Sequence, residues 1–292
     1  MVTQIINGNI ILKNLRDFKL ADIFDCGQCF RFNPDGNGGY IGTAFSKTVR
    51  ITQDDDTITL HNTTEEDYIN IWRGYFDLDR DYGAMKSALL KSDDEIMENA
   101  IKYGSGIRIL KQELWETLIS FIISASNNIP RIKKIIESLC THFGEPHEYE
   151  GNVHYSFPTV HTVAELTPED ISCIKAGFRE KYILKAAQLI DNGEFILDDM
   201  YSMSTSDAKK ALMSLPGVGN KVSDCILLFS LNRFDSFPVD VWIKRIMEYC
   251  YFDNTEQTIP AISEFASNNF GKLGGIAQQY LFYYARSLKI GT

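Results

Sequence analysis

Residues 206 to 247 constrain this chain more than any other stretch: SDAKKALMSLPGVGNKVSDCILLFSLNRFDSFPVDVWIKRIM. Ser206-Asp207 offers an N-cap, and Ala211, Leu212 and Leu215 recur behind it at helical spacing. Pro216-Gly217-Val218-Gly219 cannot continue that helix. Proline has no amide hydrogen, and the two glycines permit positive φ and close backbone approach. A second helix is expected with Asn220 as its cap and Val222, Cys225, Ile226 and Phe229 along one side. Phe237-Pro238-Val239 is extended, because a residue before proline avoids the helical region. Asp240 then caps a third helix over Val241 to Tyr249. The stretch therefore reads as a helix–hairpin–helix at about 206–231, followed by an aspartate-bearing segment at 237–249.

A glycine turn that presents free amides at a helix start is a cradle for an anion. Lys221 stands in the first turn of one helix, and Asp240 at the start of the next, nineteen positions on. An amine and a carboxylate on two rigid helix ends can face one reacting centre. The phosphate-loop spacing for nucleotides is absent. Taken singly, each feature has a plainer reading: turn glycines, a solvated lysine, a capping aspartate.

The chain of 292 residues is 44% hydrophobic, enough for a large core in two or three subdomains. Its start, MVTQIINGNI, has neither a basic region nor a long apolar run. Neither a signal peptide nor a membrane span is expected, and the expected location is cytoplasmic, at the nucleoid if the source is bacterial. Six scattered cysteines suit reduced thiols better than a disulfide framework, and Cys26-x-x-Cys29 has no second pair with which to hold zinc. A net charge of −10 argues against general affinity for nucleic acid. Phosphate binding, however, needs only local positive charge and oriented amides. Lys209, Lys210, Lys221, Lys244 and Arg245 surround the central stretch, whereas Asp54–Asp56, Glu65–Asp67 and Asp93–Glu95 place acid in the first third.

In chain order, residues 4 to 62 read as β-rich. PDGNGGY at 34–40 is a loop between two strands, and Asp54-Asp55-Asp56 turns a hairpin between Val49–Thr52 and Thr57–Leu60. Helical pattern opens at Thr64 with a capping sequence and dominates from Gln112 onward. Glu113 to Ala125 reads as a core helix. In Ser124-Ala125-Ser126-Asn127-Asn128-Ile129-Pro130-Arg131, Asn128 caps a helix whose buried stripe is Ile132, Ile135, Ile136, Leu139 and Phe143. Residues 144 to 157 read as a polar connection, and Thr167 opens another helix. Two last helices cover Ala261–Ser267 and Gly274–Lys289, the second carrying Gln278 and Phe282 on one face. The fold class is α+β: an antiparallel β-rich N-terminal domain at 1–103, then a mostly helical domain at 104–292.

LPGVGNKVSDC with the PVD that follows resembles the helix–hairpin–helix DNA glycosylase superfamily, in its 8-oxoguanine DNA glycosylase branch. Further segments match in the family's order: Cys26-Gly27-Gln28-Cys29-Phe30-Arg31-Phe32, the asparagine loop, Phe178-Arg179, and the pair Gln278 and Phe282. The resemblance implies a base-excision enzyme that flips 8-oxoguanine out of duplex DNA and removes it. Lys221 would be the nucleophile that forms an imine, and strand cleavage by β-elimination would follow. Asp240 would stabilise charge on the sugar. The Gly27 carbonyl would read the hydrogen that 8-oxoguanine carries at N7, where guanine presents an acceptor. Cys225 would pack near the lysine and the base, Phe282 would stack on the base's ring, and Gln278 would bond its Watson–Crick edge. Asn127, Asn128 and Arg131 would face the opposite base. Phe178 would wedge into the stack, Arg179 would bond the orphaned base, and amides near Gly217 and Gly219 would hold phosphates.

Three positions depart from the family's pattern. Ser126 stands where a third asparagine is common, which leaves the preference for cytosine opposite the lesion open. Phe178 replaces a commoner tyrosine, and Trp242 stands where eukaryotic relatives carry histidine. The last cysteine is Cys250, so no C-terminal iron–sulfur cluster is expected. No cofactor or catalytic metal is implied, and a monovalent cation on the hairpin carbonyls stays open. The expected partner is lesion-bearing double-stranded DNA, bound by a monomer away from membranes. Three rivals are a non-catalytic helix–hairpin–helix DNA-binding protein, a glycosylase for another damaged base, and a metabolic enzyme that uses the Gly-x-Gly turn for a nucleotide. The last lacks a Rossmann or phosphate-loop pattern.

Overall fold

The computed structural model describes residues 1–90 and 94–288, without the side chains of Arg286 and Leu288. The expected helix end at Lys289 and the acidic Asp93 lie outside the described residues. Six antiparallel strands form the N-terminal sheet: β1 (Val2–Ile6), β2 (Asn9–Lys13), β3 (Phe32–Pro34), β4 (Tyr40–Ala44), β5 (Lys47–Asp54) and β6 (Thr57–His61). Their spatial order is β1-β2-β6-β5-β4-β3. The period-2 alternation does its expected work here. Ile10 and Leu12, Val49 and Ile51, and Ile58 and Leu60 all turn to one buried face. The β5–β6 turn is as read, with Asp54 opposite Thr57 and Asp55 at φ 51°.

That face is closed by α1 (Leu20–Phe24), by the π-turn Tyr68–Trp72 that follows the exposed α2 (Glu65–Asp67), and by α3 (Arg73–Tyr75). Phe24, Phe32, Trp72, Tyr75 and Phe76 pack as an aromatic cluster, Phe24 stacked on Phe32 at 4.3 Å. Next come α4 (Tyr82–Leu89) and α5 (Glu95–Tyr103), whose Met97, Ala100 and Ile101 join the larger helical core.

The centre of that core is α6 (Leu114–Ser124), in which every residue but Glu116 is buried. Asn128 caps α7 (Ile129–Phe143), its side chain accepting from Arg131 N at 3.0 Å. Residues 144–157, read as a plain connection, hold a hairpin instead: β7 (Pro146–Tyr149) and β8 (Asn152–Tyr155). The hairpin is secured from outside its own sequence. The Tyr149 hydroxyl donates to His61 O at 2.7 Å and accepts from Arg50 N at 2.9 Å, and Glu150 pairs with Arg50 at 2.8 Å. Four polar strand residues with weak alternation could not announce this.

Then follow α8 (Val160–Ala164), α9 (Pro168–Ile171) with a full capping box at Thr167, α10 (Glu180–Asp191) and α11 (Asp199–Ser202). The last five helices are α12 (Thr205–Leu212), α13 (Asn220–Phe229), α14 (Val241–Tyr251), α15 (Ile259–Phe270) and α16 (Gly274–Leu288). Two caps differ from the sequence reading. Ser204, not Ser206-Asp207, caps α12, with Asp207 N donating to its hydroxyl at 3.2 Å. Gly219, not Asn220, is the N-cap of α13, because its backbone is still extended while Asn220 is already helical. Among the described residues no helix is long and apolar enough to cross a membrane.

A polar joint links the two domains. Gln28 is fully buried, donating to Ile23 O and Arg108 O and accepting from Leu110 N. Buried amides of this kind persist only when their hydrogen bonds are met. Cys26 and Cys29 lie in the same joint, and burial pushes their thiols up, Cys26 to about 12. They are neutral packing groups.

Candidate active site

The hairpin between α12 and α13 places its groups through one close contact. Gly217 sits at φ 86°, and a Cβ there would lie 2.8 Å from Tyr182 Cβ on α10. Both the backbone sign and the space require glycine. Gly219 is different: its φ is negative and a Cβ would meet nothing within 4 Å. Because it carries no side-chain cap, the start of α13 stays open at the surface.

Lys221 is rooted one residue into α13, and every residue from Val222 to Phe229 is buried behind it. Its ammonium lies 3.3 Å from Ser124 Oγ and 5.0 Å from the centre of the Phe121 ring, both on α6. A cation over an aromatic face is held by the ring quadrupole. Cys225, one turn on, is buried. Burial raises its thiol to about 11 against the opposing pull of Lys221, so it is uncharged. Asp240 caps α14, accepting from Ile243 N at 2.8 Å.

Lys221 and Asp240 both line a cavity of about 480 Å³. Gly27 enters its wall from the N-terminal domain, Phe121 and Ser124 from α6, Asn127 and Asn128 from the loop, Trp242 from α14 and Phe282 from α16. Gly27 is at φ 83°, and a Cβ there would lie 3.3 Å from Phe282 Cε1. The positive φ favours glycine, and an added Cβ would also press on the ring. Gln278 is buried one turn from Phe282, and its Oε1 has no hydrogen-bond partner among the described residues. Such a group is costly when left unpaired, and neither Gln278 nor Cys225 is among the residues that line the cavity. The chamber is apolar-walled, with one amine, one carboxylate and a few convergent polar groups, the pattern of a small-molecule site. Its volume suits a single base with its sugar rather than a helix.

Residues 10–118 match the sequence model of the 8-oxoguanine DNA glycosylase N-terminal domain. Residues 119–270 match that of the HhH-GPD superfamily of base excision DNA repair proteins. The chain belongs to this superfamily. It is 30% identical to the N-glycosylase/DNA lyase OGG1 of Arabidopsis thaliana over 285 residues, 89% of this chain and 75% of that protein. The structure of MBOgg1 in complex with a low-affinity DNA ligand superimposes with a TM-score of 0.96 at 45% identity, covering 99% of each chain. So does that of the Clostridium acetobutylicum 8-oxoguanine glycosylase/lyase in complex with double-stranded DNA containing cytosine opposite 8-oxoguanine. Its TM-score is 0.95 at 42% identity, again with 99% of each chain covered.

Phe178, Arg179, Arg131, Gly217 and Gly219, which the superfamily resemblance assigned to DNA, are not among the residues that line the cavity. Phe178 is 55% exposed, a large apolar ring standing out from the surface. Arg179 beside it is buried, its guanidinium 4.3 Å from the Phe178 ring centre. It donates to Ala125 O, Ser126 O and Ala176 O, at 2.8, 2.9 and 3.1 Å. In this conformation Arg179 thus ties Phe178 to the asparagine loop instead of projecting outward. Burial, and Arg131 nearby, lower its pKa. Arg131 is exposed, with a long contact to Lys175 O at 3.4 Å. Ser126 sits at φ 50°, a region that asparagine also tolerates. The basic residues around the hairpin are largely paired: Lys209 with Asp224, Lys210 with Asp207, and Lys244 with Glu248 and Glu256. Arg245 stacks on Trp242 at 5.6 Å.

Sequence reasoning missed Phe121 and Ser124, whose helix read only as core. Among the described residues one group of metal-ligand type exists, His161, Glu165 and Asp191, with ligand atoms within 4.8 Å. It is exposed and does not line the cavity.

Proposed function

We propose that this chain removes 8-oxoguanine from duplex DNA and cleaves the strand at the abasic site, using Lys221 as nucleophile and no cofactor. The observation that carries the reading is Lys221 at a rigid helix start, sharing one chamber with Asp240, Gly27 and Phe282. Duplex DNA meets the open start of α13 with its phosphates, and Phe178 fills the gap left by the flipped nucleotide. The flipped base lies against Phe282, with Cys225 behind Lys221 as a neutral wall. Gly27 O accepts from N7–H of 8-oxoguanine, which guanine lacks.

Lys221 first gives up its ammonium proton to solvent, and Nζ then attacks C1′ as a neutral amine. The C1′–N bond forms, and the N-glycosidic bond breaks with its electron pair leaving on the base. The Asp240 carboxylate offsets positive charge on the sugar during this step. Ring opening gives an imine between Nζ and C1′. Loss of a C2′ proton expels the 3′ phosphate, and hydrolysis frees Lys221. Ser126 in place of asparagine leaves fewer donors to the opposite base, so we propose a relaxed preference for cytosine.

The test is borohydride trapping on duplexes with 8-oxoguanine opposite each of the four bases. A covalent adduct on lesion duplex, lost in Lys221→Gln while lesion binding persists, is expected. Base release with no trappable adduct would remove Lys221 as nucleophile.

A further inference from the structure

Gly27 lies between two residues whose carbonyls are both held from the helical domain. Gln279 Nε2 donates to Cys26 O at 2.8 Å, across 253 positions of sequence. Gln112 Nε2 donates to Gln28 O at 2.7 Å. The Gln28 side chain is itself fixed by bonds to Ile23, Arg108 and Leu110. Among the described residues no hydrogen bond reaches the carbonyl between them, that of Gly27.

We propose that Gln279 is a positioning residue that sets the direction of the Gly27 carbonyl and so determines selectivity for the damaged base. This rests on the reading of the site given above. The physical reason is the freedom of glycine. The peptide plane that carries its carbonyl turns about ψ of Gly27 and φ of Gln28, and without a Cβ at Gly27 that rotation carries little steric cost. The planes on either side are the pivots from which that plane takes its direction. Gln279 holds the plane before it and Gln112 the plane after it. Cys26 is fully buried, so its carbonyl cannot exchange the bond from Gln279 for one to water. Gln279 is 2% exposed and sits one residue after Gln278 on α16. A helical step of about 100° separates their directions. One helix turn thus holds two amides with different tasks, Gln278 with a free Oε1 and Gln279 committed to the backbone.

The test compares the wild-type chain with Gln279→Met and Gln279→Glu in single-turnover assays. Three reactions are measured: release of 8-oxoguanine, release of guanine, and strand cleavage at a preformed abasic site, where there is no base to read. Methionine keeps the volume and removes the donor. Its 8-oxoguanine release is expected to fall roughly tenfold or more, with the ratio of 8-oxoguanine to guanine release falling alike, the effect of one misdirected buried acceptor. Abasic-site cleavage is expected to change by less than about threefold, within the range of a mutation outside the reacting groups. In Gln279→Glu a protonated carboxyl can donate to Cys26 O, whereas a carboxylate repels it. Its selectivity should therefore recover relative to wild type as pH falls. This profile decides the matter if the methionine variant does not fold.

An unchanged selectivity ratio in Gln279→Met would overturn the inference, as would equal losses on lesion and abasic substrates. A wild-type chain that releases no 8-oxoguanine would instead overturn the reading of the site, and the inference with it.

Discussion

Replacing Asp240 by asparagine separates two tasks that the structure gives to one carboxylate. Asp240 caps α14 through one oxygen, 2.8 Å from Ile243 N, and lines the cavity with Lys221. Asparagine caps about as well as aspartate, so that bond survives. Only the charge goes, and its interaction with the helix dipole is worth about 0.3–1 kcal/mol. The cost in catalysis is larger. A unit positive charge developing about 4 Å from the carboxylate, at an effective dielectric near 20, interacts by about 4 kcal/mol. That corresponds to roughly a thousandfold in rate. Asp240→Ala loses the cap as well, a further cost of about 1 kcal/mol in stability. The assay is single-turnover excision from an 8-oxoguanine duplex, with urea unfolding measured in parallel. The expected pattern is similar, severe losses of rate in both variants and a clear loss of stability only in alanine. Excision by Asp240→Asn within about tenfold of wild type would refute the electrostatic role, since a cap alone would then explain Asp240.

Gly217→Ala places a Cβ 2.8 Å from Tyr182 Cβ at φ 86°. The backbone conformation alone costs about 1–2 kcal/mol, so a lowered urea midpoint and weaker binding of undamaged duplex are expected together. Unchanged duplex affinity would separate the hairpin from DNA holding. Glu116 is paired with Arg31 at 3.4 Å in the core, and burial pushes its carboxyl up from 4.5 to about 7. Below pH 4.5 both folded and unfolded chains hold that proton, and between 4.5 and 7 only the folded chain does. Stability therefore falls as pH rises through this window, by roughly 3 kcal/mol, and is flat in this group above it. Urea unfolding across pH 4 to 8 should show that component vanish in Glu116→Gln, and a slope of equal size in the variant would place it elsewhere. Arg179→Ala frees the Ala125 and Ser126 carbonyls at the root of the asparagine loop. Discrimination among the four opposite bases should drop more than abasic-site cleavage, measured on matched duplexes.

Much of the helical architecture was legible because its signals are local. Asn128, Thr167 and Asp240 cap the helices at which they were placed, since a cap needs only a side chain and an amide three residues on. The hairpin glycines were legible as a turn, yet their separate duties were not. Gly217 is required by Tyr182, thirty-five positions away, and Gly219 by no neighbour at all. Ser204 and Gly219 show the usual slip of a residue or two in where a helix begins. The β7–β8 hairpin was invisible because its determinants, Arg50 and His61, belong to another domain.

The residue types of the site were set by sequence alone: a lysine and an aspartate at helix starts, glycines in turns, a glutamine and a phenylalanine one turn apart. What those groups face was decided by tertiary structure. Gly27 and Phe282 are separated by 255 positions and line the same chamber. The two buried cores and the Gln28–Arg108 joint close that separation. Arg179, outward by analogy, is drawn inward to three carbonyls, and Gln279, silent beside Gln278, holds the backbone that frames Gly27. The reason is the reach of the forces. Capping and periodicity act over a few residues. The direction of a buried polar group answers to whatever distant donor or acceptor the packed core brings against it.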